Sequence, residues 1–335
     1  MVSYKEIQAS NALINNDNAP RVCVFVGGTS GIGKLTIQAL VATGARTKIY
    51  LVGRASSAER SRTFIQEQAT VNRNAEIIWV EGEVSLLAEA QRICNVIKAN
   101  ESRVDLLFLT AGYAPFSGRH ETAEGIDVAQ SLEYYGRMLF ILQLLPLLKQ
   151  ADTGARVISV LAGGRETGSV LTEDLDLRKP GNYGVVRAQT QLAEMNTAAM
   201  DRLATAHDDV TFLHSWPGLV NTGNAKRGSE PGSLVDWLKW LFLEPLIYLL
   251  ACSDDVAAQR NLFLSTSALY GGRGVPWGGK PGLNALGEAA AAGNGLFLTN
   301  YKCDCTPNVK AMRKLREKAQ DKIWEHTQEV LRPYM

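Results

Sequence analysis

The sequence predicts an α/β fold: a doubly wound parallel sheet of about seven strands, with helices on both faces and a substrate lid inserted late in the chain. Three observations predict it. Short β-rich apolar runs alternate with helical patterns through the first 220 residues. A glycine-rich turn joins the first run to the first helix, and no repeat or low-complexity linker divides the chain. The 335 residues, 46% of them apolar, are read as one domain over 1–335, because α/β folds of roughly 250 residues routinely bury a single core. Residues 1–20 form a polar N-terminal extension, about 224–250 the lid, and about 305–332 a C-terminal helix.

The strand candidates are "RVCVFVG" (21–27), "KIYLVG" (48–53), "EIIWVE" (76–81), "DLLFLTAG" (105–112), "RVISVLA" (156–162) and "VTFLHSW" (210–216). Between them, "GKLTIQALVATG", "SLLAEAQRICNVIKANE", "AQSLEYYGRMLFILQLLPLLKQ" and "AQTQLAEMNTAAMDRLATA" carry apolar residues at three- and four-residue spacing, the mark of helices packed on a sheet. Parallel strands joined this way bind ligands at their carboxyl ends. Functional residues are therefore sought just after each strand.

Composition narrows the function. With 35 basic against 34 acidic side chains and a net charge of +1, there is no electrostatic case for nucleic acid. Cys303 and Cys305 are the one close cysteine pair, with no second pair at zinc spacing and four histidines in all, so no metal site is expected. An odd count of five cysteines fits a reducing compartment, and residues 1–20 are too polar for a signal peptide. The most lipophilic run, Trp237 to Ala251, is interrupted by Lys239, Glu244 and Pro245 and is too short to cross a bilayer. A soluble, cytoplasmic protein without a transmembrane segment is expected.

After the first strand comes "GGTSGIGK", Gly27 to Lys34, opening into a helix. Gly27, Gly31 and Gly33 let the backbone turn tightly and approach a pyrophosphate, with Thr29, Ser30 and Ile32 between them, and the helix N-terminus favours the anion. The second strand ends in Gly53-Arg54, where sites selective for an unphosphorylated ribose carry an acid. A guanidinium there suits a 2′-phosphate, so NADP(H) is favoured over NAD(H). Glu83 and Val84, after the third strand, fall where an adenine edge would lie.

These motifs resemble the short-chain dehydrogenase/reductase family. Val26-Gly27-Gly28-Thr29-Ser30-Gly31-Ile32-Gly33 matches its Thr-Gly-x-x-x-Gly-x-Gly except for the threonine, and Leu109-Thr110-Ala111-Gly112 is similar to its Asn-Asn-Ala-Gly. Pro217-Gly218-Leu219-Val220-Asn221-Thr222 matches its Pro-Gly-x-Val-x-Thr. The resemblance spans about residues 20–330 and implies a Rossmann-type sheet in which Ala111, Gly112, Pro217, Gly218, Val220 and Thr222 border the cofactor, Thr222 holding the nicotinamide carboxamide. The tail resembles the retinol-dehydrogenase-like branch, in the long form found in fungal secondary metabolism. Pairing of two chains through the long central helices, giving a homodimer, is also what the resemblance implies.

The family's chemistry uses a serine, a tyrosine and a lysine, with an asparagine in support. Its serine position falls on Ala162 and its asparagine position on Glu133, counted back from Gly136. For the pair, Tyr183 and Arg187 in "NYGVVRAQTQLAE" have the right spacing. Counting back from Leu203-Ala204, which resembles the family's landmark near the end of that helix, instead puts the lysine at Ala193 and the tyrosine at Gln189. Tyr183 and Arg187 would then sit off the catalytic face, unless an insertion of about six residues follows them. Both registers stay open. Replacement acids or bases are sought in Glu133, Tyr134 and Tyr135, in Arg165 or Glu166, and in Thr110 as a contact to a substrate oxygen.

Trp237, Trp240, Phe242 and Tyr248 give the lid an aromatic face, suited to an apolar small-molecule substrate, a dimer contact or a shallow membrane contact. Tyr270 to Gly282 reads as a glycine-rich loop near the site. Three functions follow. The first is an NADP(H)-binding oxidoreductase acting on an apolar carbonyl or alcohol, such as a polyketide-type intermediate, with a non-standard proton donor. The second is a non-redox enzyme (cyclisation, dehydration, aldol-type step or isomerisation) holding the dinucleotide as a structural cofactor. The third is a catalytically dead nucleotide-binding partner protein.

Overall fold

The computed structural model describes residues 1–116, 118–152, 154–220, 251–271, 274–278 and 295–335. Seven strands, β1 (Val22–Val26), β2 (Thr47–Gly53), β3 (Ala75–Glu81), β4 (Leu106–Leu109), β5 (Ala155–Val160), β6 (Val210–Ser215) and β7 (Leu296–Thr299), form one sheet in the order β3-β2-β1-β4-β5-β6-β7. Every pairing is parallel. The order reverses between β1 and β4, which opens a crevice at the carboxyl edge of the sheet.

Alternate residues of each strand enter different cores. Val22, Val24 and Val26 of β1 join one apolar cluster with α4 (Leu87–Asn100), α6 (Gly136–Leu148) and α7 (Val185–Ala206). Cys23 and Phe25 join the other, against α2 (Gly31–Ala42), α3 (Ala58–Val71), α8 (Asp254–Thr266) and the N-terminal α1 (Tyr4–Asn11). Burial on both faces explains why the strands read as unbroken apolar runs rather than alternating ones. Phe25 and Phe108 pack ring to ring at 5.1 Å in the second core.

Several elements differ from expectation. Helices α1, α3 and α8 add to the four read from periodicity. In α8 the buried polar residues Asn261, Ser265 and Thr266 bond carbonyls one turn back in their own helix at 2.7–2.9 Å, so burial is possible without an apolar pattern that the sequence would show. The long helix expected over 129–150 is composite: α5 (Val128–Gln130), a π-helical turn (Ser131–Tyr135), then α6. The single C-terminal helix is two, α9 (Val309–Lys318) and α10 (Gln320–Leu331), broken at Ala319. Among the described residues no helix is long and apolar enough to cross a membrane. The lid at 224–250, Thr222 and much of the 270–282 loop lie outside the described residues.

The C-terminal helices pack behind the π turn. Tyr134 Oη lies 2.5 Å from Thr327 Oγ1 of α10, and Tyr135 Oη donates to Asp176 Oδ1 at 2.6 Å, which His326 Nε2 also meets at 3.2 Å. Phe108 is fully buried, so Phe108→Ala should lower stability by about 3–5 kcal/mol, from lost burial and a residual cavity. Urea denaturation with an unchanged m-value would check it.

Candidate active site

A crevice of about 780 Å³ runs along the carboxyl ends of β1, β2, β3, β4 and β5, within the range of ligand pockets. At its outer half lie Gly27, Thr29, Ser30, Gly31 and Ile32, together with Arg54, Glu83 and Val84. Gly27 adopts φ +100°, and a Cβ there would stand 2.6 Å from Ala111 N and 2.7 Å from Thr110 Oγ1. The loop therefore seats against the exit of β4 only as glycine, leaving the start of α2 open to the crevice. This cradle fits a dinucleotide pyrophosphate. Gly33 lies beneath, its Cβ position 2.7 Å from Gly27 O. Glu83 turns its carboxylate to its own chain, accepting from Ser85 Oγ at 2.9 Å.

Ala111, Gly112 and Pro217 also line the crevice. Gly218, at φ +70°, packs on the Tyr301 side chain, and Val220 bridges to Cys252. Thr110 Oγ1 donates to Gly27 O at 3.1 Å, which ties two loops together.

At the inner end stands Glu133, on the π turn. A π turn adds a residue to the helical repeat, so its side chains point differently from those of a regular helix. Here Gly136 N donates to Ser131 O, closing the turn. Glu133 is 2% exposed. Its Oε1 accepts from Tyr113 N at 2.8 Å and its Oε2 from Gln189 Nε2 at 2.8 Å. A Cβ on Gly112 would lie 2.6 Å from Glu133 Oε1, so the carboxyl occupies the space that glycine leaves. Burial pushes the Glu133 carboxyl up to about 7, opposed by the Arg137 charge and by the hydrogen bonds from Gln189 and Tyr113 N, with Asp127 adding to the rise.

The two registers for the pair are now distinguishable by position. Gln189 lines the crevice, just over one turn into α7, and bonds Glu133. Tyr183 precedes α7, whose first residue is Val185, so it shares no helix face with Arg187. The Tyr183 hydroxyl donates to Asp127 Oδ1 at 3.2 Å, and burial with the Asp127 charge raises its pKa. That is the opposite of a phenol activated by a cation. Arg187 is exposed, and neither residue lines the crevice. Ala162 donates its N–H to His214 Nε2 at 3.3 Å, and Ala193 is buried; neither side chain carries a polar group. Tyr134 and Tyr135 are sealed in the core. Glu166 is buried with Thr197 Oγ1 donating to its Oε1 at 2.6 Å, and Arg165 stacks on Trp216 at 3.7 Å.

One residue escaped the sequence reading. Arg137 is 2% exposed and lines the inner crevice, with Nη1 donating to Ser159 Oγ and Val160 O at 2.7 and 3.0 Å and Nη2 to Ala111 O at 2.9 Å. The available signal was a charge within the apolar stretch "GRMLFILQLLPLL", since buried charges are rare unless they have work to do. Among the described residues no cluster of His, Cys, Asp and Glu could hold a metal ion.

Because the Glu133 pKa is raised on folding, the folded protein binds more protons than the unfolded one between about 4.5 and 7, and stability falls as pH rises through that window. Relative to wild type, Glu133→Gln should therefore gain roughly 3 kcal/mol on going from pH 4.5 to pH 8, whatever the offset at acid pH. Urea midpoints across that range measure it.

Comparison with known proteins agrees with the fold. Residues 21–170 match the family model described as short chain dehydrogenase. The oxidoreductase AN1596 of Emericella nidulans is 36% identical over 99% of this chain and 98% of its own. The short-chain dehydrogenase/reductase SAT2 of Stachybotrys chartarum is 28% identical over 91% of this chain and 90% of its own. A crystal structure of an uncharacterised protein from Mycobacterium paratuberculosis superposes with TM-score 0.60 at 16% identity, covering 95% of this chain and 97% of that one. The chain belongs to the short-chain dehydrogenase/reductase family.

Proposed function

We propose that this protein binds NADP(H) in the crevice and interconverts an apolar carbonyl and its alcohol, with the Glu133 carboxyl moving the proton in place of a tyrosine. The observation that carries the reading is the hydrogen bond from Gln189 Nε2 to Glu133 Oε2 at 2.8 Å. It joins Gln189, the tyrosine position in one of the two registers, to a buried acid at the inner end of the crevice.

Each part of the cofactor has a partner. The Gly27–Gly33 turn and the start of α2 receive the pyrophosphate. The guanidinium of Arg54, exposed at the end of β2, receives the 2′-phosphate by charge-assisted bonds. An acid at position 53, which would favour the unphosphorylated ribose, has no room: a Cβ on Gly53 would stand 2.4 Å from Thr29 Cγ2 and 2.7 Å from the Trp79 ring. Thr222 is the residue proposed to hold the carboxamide. When bound, NADPH supplies a hydride to the carbonyl carbon.

The protein's own chemistry is then proton delivery. A carboxyl with a pKa near 7 holds its proton about half the time at neutral pH, which suits both donation and acceptance. Burial in the inner crevice keeps water from competing for it. In carbonyl reduction Glu133 acts protonated, so the rate should fall as pH rises through about 7; alcohol oxidation needs the carboxylate and should rise over the same range. All five cysteines are free thiols.

Two measurements test the reading. Titration calorimetry should show NADPH binding more tightly than NADH, and Arg54→Ala should erase about tenfold or more of that preference. Glu133→Gln should lower kcat for reduction by about 10²–10⁴ with NADPH affinity little changed. Wild-type turnover by Glu133→Gln, or a product free of label after reaction with deuterated NADPH, would remove it.

A further inference from the structure

Arg137 is a guanidinium inside the protein whose hydrogen bonds go to backbone carbonyls and one hydroxyl, not to a carboxylate. A buried charge so placed is costly, and burial lowers its pKa to about 10, which still leaves it protonated at neutral pH. Its neighbour in the crevice is Glu133, one helical turn earlier. Both grip the same loop: Arg137 Nη2 holds Ala111 O at 2.9 Å, and Glu133 Oε1 holds Tyr113 N at 2.8 Å. A second path closes the group. Ser159 Oγ accepts from Arg137 and donates to Asn196 Oδ1 at 3.1 Å, and Asn196 Nδ2 donates to Glu133 O at 2.6 Å.

We propose that Arg137 is a positioning residue that supplies the positive charge against which the Glu133 carboxyl gains and loses its proton, at a site where the lysine register on α7 holds only Ala193. The mechanism is Coulombic. The ionised carboxyl makes a neutral pair with the guanidinium, whereas the protonated carboxyl leaves a net buried charge, so Arg137 favours ionisation and opposes the effect of burial. The other groups facing Glu133 are the Gln189 amide from α7, and the Tyr113 phenol and the Asp127 carboxylate from the segment between β4 and α5. Among these only Arg137 is cationic.

The functional relevance of this role rests on Glu133 being the proton carrier, but its test does not require turnover. In protein labelled with 13C at glutamate carboxyls, the Glu133 resonance is the one that Glu133→Gln removes. Arg137→Met should raise its titration midpoint by about one pH unit or more, a tenfold tighter hold on the proton. Ser159→Asp, which keeps the guanidinium and cancels its charge, should move the midpoint in the same direction and covers a failure of Arg137→Met to fold. Arg137→Lys keeps the charge without the fork and should leave the midpoint within about half a unit. An unmoved midpoint in the folded charge-removing variants overturns the proposal. If the midpoints move but Glu133→Gln still reduces carbonyls at the wild-type rate, the tuning role stands and the proton-donor reading falls.

Discussion

A carboxyl group cannot be taken out of water without partners that repay part of its lost hydration. The inner end of this crevice is arranged around that constraint. The π turn aims Glu133 at the exit of β4, Gly112 leaves room for it, Tyr113 N and Gln189 Nε2 bond its two oxygens, and Arg137 lies one turn on. The sheet supplies the platform; the carboxyl determines how the loops on that platform are disposed.

The polar network around Arg137 extends the same logic into the core. By bonding Ala111 O, Val160 O and Ser159 Oγ, one guanidinium fastens the ends of adjacent strands β4 and β5 to the helix that crosses behind them. Asn196 carries the fastening to α7. Polar atoms buried in a core of this kind are tolerated only where they find partners. Here Ser159 and Asn196 have them.

Much of the fold was legible because strands buried on both faces announce themselves as apolar runs, and "GGTSGIGK" announces the turn between β1 and α2. The outer crevice was legible for the same reason, since a tight turn at Gly27 demands glycine. The inner end was harder. Tyr183 and Arg187 have helix spacing but no common helix, because α7 begins at Val185; spacing shows what a helix would do, not where it starts. Glu133 could be found by register, but its environment depends on a π turn with no sequence signature. Arg137 stayed hidden because a lone charge in an apolar helix reads as a surface residue until the strands it bonds are placed beside it. Helix α8 was missed because its buried polar side chains donate to carbonyls of their own helix, so burial leaves no apolar pattern.

The tail of the chain carries a consequence for modularity. Tyr134 and Tyr135, which follow Glu133 on the π turn, are anchored by Thr327 of α10 and by the Asp176–His326 pair, while Gln91 and Gln143 of α4 and α6 both donate to Tyr334 O. The segment that matches the family model, residues 21–170, therefore lacks the side chains that buttress the π turn. It is not an exchangeable cassette. Grafting that segment onto another member's carboxyl-terminal half would transplant the nucleotide cradle intact, yet leave the turn beneath Glu133 leaning on a wall built for different side chains.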